Sequence, residues 1–457
     1  MDIVTDPDIL SAYNQDALGL QGNFEGVFRP SREEEIIEFL GQCAAEGKCV
    51  TAQGLRSSLT GASVCDRGYA LSLEKMNRII DIDVKRRRAL VQPGVITEDF
   101  RKAVAEAGLF YPLDPTSAGE CTIGGNVATN ASGSGTLKYG STGDWVRRVR
   151  VVDGLGRLVE AGRNASEKHS AGYGALVHPL RLFLGSEGTL GIVTEIEFAL
   201  HPRPPESFLV MVFFMGIEDA LNFVIEARES RKYSPRSMEF LDEACLEILR
   251  PRAEGISIPG EARVMLYFEQ EYRDEEDREK RLENWLRLIE RYTRLDQDTQ
   301  VALSDRQKRH LLDLRHHVPQ AMNEESARAV RNGGCKISTD WAVPYRRLPE
   351  LFTYYDSIKD LLGDMLVVRF AHLGEGHPHF NFIARNEMEK QVAEHVDFLL
   401  ARKAVELGGT VAGEHGIGKM KREHLSLEYP ERVIEAMKAI KKVFDPKGIL
   451  APGNIFP

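Results

Sequence analysis

The sequence predicts an α+β protein of more than one domain. Short alternating runs that read as hairpins recur between amphipathic stretches that read as helices, the pattern of an antiparallel sheet with helices on one face. The first 200 residues are dense in glycine, and that density falls after a proline-rich joint, "HPRPPES" from His201 to Ser207. A chain of 457 residues leaves room for roughly two to three domains.

The elements follow from local signals. Ser31 with Glu34 reads as a capping box, and Gly47 as the stop of that helix. Thr97, Glu98 and Asp99 open another helix, which Gly108 ends. Runs at Ile79–Val84 and Ala89–Val91 flank "KRRR" as a hairpin, and a second hairpin brackets "DGLG" at Asp153–Gly156. After the joint, strands are expected at 208–214, 262–270, 365–372 and 378–384. Helices are expected at 217–231, 274–292, 346–362 and 386–407, the last capped by Asn386 and stopped by Gly408.

Composition excludes several classes. A net charge of −10 argues against general nucleic-acid binding, which needs a basic face; "KRRR" and "RRVR" border strand-like sequence and read as solvated edges. The six cysteines, Cys43, Cys49, Cys65, Cys121, Cys245 and Cys335, contain no CxxC pair. They form neither a disulfide framework nor an iron–sulfur ligand set, and they fit a reducing cytoplasm. The acidic start "MDIVTDPDIL" lacks the basic end of a signal or transit peptide. No apolar run approaches the roughly 18 residues of a membrane span; "FLVMVFFM", Phe208 to Met215, reads as a buried strand.

Three glycine loops carry the chemistry of the first domain. "TAQGLRSSLTGAS" (Thr51–Ser63) can cradle a diphosphate. "DPTSAGECTIGGNVATNASGSGTLKYGSTGDWV" (Asp114–Val146) presents backbone N–H groups and hydroxyls, and "LGSEGTLGIVTEIEF" (Leu184–Phe198) turns into a strand. Each alone is commonly a surface loop. Together they point to a large phosphate-bearing cofactor, and none contains GxGxxG or GxxxxGK[ST].

The second and third loops, through "DPTSAGECTIGGNVATNASG" and "LGSEGTLGIVTE", with "AGEHGIGK" and the tail "FDPKGILAPGNIFP", resemble the FAD-linked D-2-hydroxy acid dehydrogenases. That group includes D-lactate dehydrogenases, the FAD subunit of glycolate oxidase and D-2-hydroxyglutarate dehydrogenase, in the vanillyl-alcohol-oxidase flavoprotein superfamily. The resemblance spans almost the whole chain. It implies a PCMH-type FAD-binding domain of two subdomains over residues 1–204, a substrate-binding antiparallel-sheet cap over 205–424, and a segment, 425–457, returning to the FAD domain. It implies that Gly54, Leu55, Arg56, Ser57, Ser58 and Thr60 hold the diphosphate. Pro115, Thr116, Ser117, Cys121, Thr122, Gly124, Gly125, Asn126, Thr129, Asn130 and Ser132 line the cofactor. Gly185, Glu187, Gly188, Thr189, Gly191 and Ile192 add backbone contacts, and Asn454 in the tail completes the set. The first loop departs from the family's glycine run: Leu55 and Arg56 stand where glycines are usual, which narrows the loop and disfavours positive φ. Arg56 is alternatively a phosphate partner.

The segment "AHLGEGHPHFNF" (Ala371–Phe382) concentrates three histidines. Residues two apart on a strand share a face, so His377, His379 and Asn381 point one way, and His372 converges with His379 at the hairpin mouth. Two imidazoles and a carboxylate form a divalent-metal site with an open position, which makes Glu414 the third ligand and leaves His415 for acid–base work. Glu375 is an alternative ligand, and His377 reads as either an extra ligand or a turn residue, with the turn residue preferred. The metal, zinc or else manganese or iron, would bind the substrate hydroxyl and carboxylate and lower the hydroxyl pKa. His415 would take the proton and flavin N5 the hydride. Arg315 and Lys336 match the family's substrate-binding cations by position, and Asn381 would bond the substrate carboxylate.

The expected function is oxidation of a small D-2-hydroxy acid to the 2-oxo acid, with D-lactate-like substrates ahead of D-2-hydroxyglutarate or glycolate. Pro319, one turn past Arg315, offers no donor to a distal carboxylate. Electrons would leave to a quinone, a cytochrome, an electron-transfer flavoprotein or a partner subunit, from a cytoplasmic enzyme for which peripheral contact with the inner face of the membrane and a homodimer are also considered. Competing readings are a metallohydrolase, a non-redox flavin-dependent alkyl transferase, and a subunit inactivated at Leu55–Arg56.

Overall fold

A computed structural model describes residues 2–162, 172–173, 179–204, 206–253 and 255–456. Pro205, inside the expected joint, lies outside the described residues. The chain divides into two compact units. The first comprises Met1–Gly133, Tyr139–Arg203 and Glu414–Pro457; the second comprises Ser134–Lys138 and Pro204–Gly413.

The first unit carries two main sheets. One has four strands in the order Ile3–Val4, Gly26–Phe28, Tyr69–Ser72, Val50–Gln53, with parallel pairing between the last three. The other has five antiparallel strands: Ile79–Asp83, Arg88–Val91, Ile192–Ala199, Val146–Val152 and Leu158–Gly162. Both expected hairpins are among them. The helix Glu33–Glu46 buries Ile36, Phe39, Leu40 and Cys43 against the first sheet, and Gly47 ends it at φ 68°. Its box lies one residue later than read: the N-cap is Arg32, and Glu35, not Glu34, bonds back to Ser31 and Arg32. The glutamate must sit at the third helical position to reach the cap N–H, and the helix starts at Glu33. The tail closes the open edge of the first sheet: Val50 N–H donates to Ile449 O at 2.8 Å, and Ala451 N–H to Val50 O at 2.8 Å.

The second unit is built on one seven-stranded sheet, antiparallel throughout. Its order is Gln300–Ala302, Ser207–Phe214, Val264–Glu271, Pro235–Leu241, Leu366–His372, His377–Ala384, Cys335–Ser338. Helices cover both faces, where the pattern suggested one. Leu209, Met211, Met265 and Tyr267 pack with Cys245, Leu246, Leu311 and Leu314 from the helices Glu243–Leu249 and Asp305–Val330. On the opposite face Phe214 and Phe268 meet Phe223, and Phe268 meets Trp285, from the helices Ile217–Glu229 and Glu275–Tyr292. The strand Ser207–Phe214 is buried at every residue, as a doubly covered strand must be. The helix read over 346–362 is α-helical only from Leu348 to Ile358, with 3₁₀ turns on either side.

Candidate active site

In the first unit the family-implied loop residues converge. The first loop leaves the strand Val50–Gln53, and a Cβ at Gly54 would lie 2.3 Å from Thr122 Oγ1, so only glycine lets those loops touch. Thr122 caps the helix Ile123–Thr129 by accepting from Gly125 N–H. The third loop joins them through Gly185 N–H to Val127 O and Glu187 N–H to Ala128 O. Lys419 N–H donates to Thr60 O at 2.8 Å, and Asn454 Nδ2 donates to Ala62 O at 2.8 Å. Arg56 holds φ 60° despite its side chain, and its guanidinium lies 5.1 Å from the centre of the Tyr13 ring. The expected bar to positive φ there is not met: the loop keeps the glycine-like turn with an arginine in it.

These residues fit a large polar cofactor. Gln53 Oε1 and Ser63 Oγ, at the two ends of the first loop, are buried without a hydrogen-bond partner. At Gly185 and Gly188, both left-handed, a Cβ would meet no protein atom closer than 3.7 Å. The carboxylate of Glu187 is committed elsewhere. It accepts from Ile417 and Gly418 N–H, both at 2.7 Å, and so holds the backbone just after Glu414 and His415. That clamp spans 230 residues, and neither motif signals it alone.

In the second unit the hairpin Leu366–His372/His377–Ala384 forms the histidine cluster. Its tip needs Gly376: φ is 77°, and a Cβ would lie 1.9 Å from Val343 O. His372 pairs across the hairpin with His377, and its ring centre is 5.5 Å from that of His379. His377 is not a turn residue as read. It is the first residue of its strand, 6% exposed, with Nε2 3.2 Å from Asp340 Oδ1. The turn is shorter than expected because Leu373–Glu375 coils into a single 3₁₀ turn.

The two expected imidazole ligands are held alike. His379 Nδ1 is 3.1 Å from the carbonyl of Thr339, and His372 Nδ1 is 2.8 Å from Glu239 Oε1. A carbonyl cannot donate, so His379 donates from Nδ1, and the neutral ring then carries its lone pair on Nε2. This donor set fits a divalent cation. Glu375 is half-buried beside them with a carboxyl oxygen turned inward, and desolvation pushes its carboxyl up to about 8.

Asn381 continues the same strand face. It is 3% exposed, and its Nδ2 is buried without an acceptor. Lys336 lies on the neighbouring strand, where burial holds its ammonium below the usual lysine range, and it donates to Asn323 Oδ1 at 3.1 Å. Arg315 is 3.5 Å from Glu239 Oε2. Glu414 follows Gly413, whose own Cβ would strike the His377 ring. His415 Nε2 is 3.3 Å from Glu414 Oε1. Sequence reasoning missed Glu239 and Asp340. An acid inside the apolar run "SMEFL" was the available signal for Glu239.

Glycine loops that fit a phosphate-bearing cofactor, with a sheet displaying buried histidines and an amide donor, define a flavin-dependent oxidoreductase. The chain matches the model "FAD binding domain" over residues 24–162 and "FAD linked oxidases, C-terminal domain" over residues 203–455, and it belongs to the FAD-linked oxidase family. It is 34% identical over 439 residues to "Glycolate oxidase subunit GlcD" of Bacillus subtilis (strain 168), covering 94% of this chain and 89% of that one. It is 31% identical to a "D-lactate dehydrogenase" of Anaerostipes hadrus, covering 99% and 94%. It is 29% identical to a "D-2-hydroxyglutarate dehydrogenase" of Stutzerimonas stutzeri (strain A1501), covering 99% and 96%. The fold is shared with 4-ethylphenol oxidase from Gulosibacter chungangensis (TM-score 0.71, 17% identity, 100% of this chain and 94% of that one) and with an alkyldihydroxyacetonephosphate synthase (TM-score 0.71, 17% identity, 98% and 82%).

Proposed function

We propose that this chain is an FAD-dependent dehydrogenase that oxidises a small D-2-hydroxy acid to the 2-oxo acid. One observation carries the reading: His372, His379 and Asn381 lie on one buried sheet face, with His379 fixed by a carbonyl so that a lone pair lies on Nε2. Relatives named for glycolate, D-lactate and D-2-hydroxyglutarate support the substrate class.

Residues 1–204 would carry the cofactor and 205–424 the substrate, with 425–457 completing the first domain, although the first compact unit already resumes at Glu414, ahead of the expected boundary. Gly54–Thr60, Pro115–Ser132, Gly185–Ile192 and Asn454 would hold FAD, which when bound supplies a hydride acceptor at N5. His372, His379 and Glu414 would hold a divalent cation, zinc in this reading, which supplies charge that makes a hydroxyl more acidic. Arg315 and Lys336 hold the substrate carboxylate, and Asn381 donates its amide hydrogen to it. Placing Lys336 and Asn381 on adjacent strands of one sheet, with Arg315 on a covering helix, sets which face of the α-carbon is presented. His415 accepts the hydroxyl proton on an imidazole nitrogen. The acceptor of the electrons is external to the chain. Among the described residues no helix is long and apolar enough to cross a membrane.

Anaerobic mixing with D-lactate, glycolate and D-2-hydroxyglutarate tests the reading. Bleaching of the flavin band by at least one of them, abolished after chelation and restored by zinc, is expected. A yellow protein that none of the three reduces would overturn it.

A further inference from the structure

We propose that Glu239 is a positioning residue that fixes the tautomer of His372; this rests on the reading above, in which His372 holds a cation. Glu239 stands in the strand Pro235–Leu241, directly opposite His372 in the register of the sheet. It is 3% exposed, in a strand whose neighbours Met238, Phe240 and Leu241 are all buried. A carboxylate costs several kcal/mol to bury unless its oxygens are satisfied. Both are engaged: Oε1 lies 2.8 Å from His372 Nδ1, and Oε2 lies 3.5 Å from the guanidinium of Arg315.

Each contact has a consequence. Arginine stays protonated in proteins, so its charge favours ionised Glu239, and an ionised carboxylate only accepts. His372 must then donate from Nδ1, which puts its lone pair on Nε2. In water a neutral imidazole prefers the opposite arrangement, with the proton on Nε2. The fold achieves the same result at His379 with a carbonyl. The two rings are thus matched in protonation by chemically different partners, and only one of those partners is a side chain that can be replaced. A carboxylate behind a ligating histidine also raises its basicity, and loss of such a partner typically weakens metal binding 10–100-fold.

The experiment has a cation-free arm and a cation arm. In the cation-free FAD protein with ¹⁵N-labelled histidine, the signal lost in His372→Asn is assigned to residue 372. It should show protonated Nδ1 and unprotonated Nε2. In Glu239→Gln, which keeps the volume but removes the charge, that signal should move toward the mixture seen for free imidazole. Zinc affinity by chelator competition should fall 10–100-fold, with the flavin spectrum unchanged. A wild-type signal with protonated Nε2 would overturn the proposal without any variant that could misfold. Zinc affinity in Glu239→Gln within twofold of wild type would also overturn it. A wild-type protein that takes up no zinc would remove the metal reading itself, and this proposal with it. Normal wild-type zinc binding that the variant leaves untouched removes only the proposal.

Discussion

Arg56 shows how a single backbone angle constrains a loop. A non-glycine residue in the left-handed region costs about 1–3 kcal/mol, and stacking of the half-buried Arg56 on the Tyr13 ring returns about 0.5–2 kcal/mol. Arg56→Asn, which tolerates the left-handed region, should leave the melting temperature of the FAD-free protein within a degree or two. Arg56→Val places a β-branched side chain at φ 60° and should cost about 1–2 kcal/mol. Equal melting temperatures for the two variants would show that the angle is not held in solution. At the other end of the chemistry, His415→Asn should keep FAD and zinc yet reduce its flavin about 10²–10⁴-fold more slowly; an unchanged rate in rapid mixing would assign the base elsewhere. At this scale the shared face of His377, His379 and Asn381 was legible, because strand periodicity depends only on neighbours in sequence. Glu239 was not. Its partner is 133 residues away, and nothing local marks which acid in which strand faces a histidine.

The helix Asp305–Val330 poses the question of specificity among the elements. Pro319 lies inside it, four residues after Arg315, so the carbonyl of Arg315 loses its helical N–H partner. Proline supplies no donor there for a second, distal carboxylate. The ratio of kcat/KM with one dye acceptor should therefore favour D-lactate over D-2-hydroxyglutarate. A tenfold preference the other way, about 1.4 kcal/mol of transition-state binding, would mean that a distal pocket exists on other residues. The hairpin tip gives a sharper test: Gly376→Ala meets both a positive φ and the Val343 carbonyl, and should cost at least about 2 kcal/mol in denaturant unfolding. Long apolar or alternating strands were read correctly because burial writes its period into them. The strand Pro235–Leu241 starts with proline and mixes Arg, Ser and Glu among its apolar residues, and the helix Asp305–Val330 is charged on most sides and holds a proline. Neither shows a period that local reading can find, and tertiary cover settles both.

Across the molecule, the first unit is assembled from segments that begin and end the chain. Removing Ile449–Pro457 strips the partner from Val50 and removes Asn454, whose amide bonds Ala62 O and whose Oδ1 accepts from Lys419. The truncated protein should retain no FAD and should scatter light on concentration; a stoichiometric flavin spectrum from it would show the tail to be dispensable. Glycine density and the proline joint suggest a break near residue 204, but nothing in the sequence suggests the contact of the tail with Val50, since no local pattern records a pairing across 400 residues. This arrangement has a cost in time. A ribosome that has just made Arg203 must add about 250 residues before Leu450 exists, roughly 10–50 s at ordinary elongation rates. Throughout that interval the Val50 strand stands as an uncovered edge, open to pairing with a neighbouring nascent chain. That edge is therefore sealed only once Ile449–Ala451 has been made, and the yield in a cell should depend on how well it is shielded while it waits.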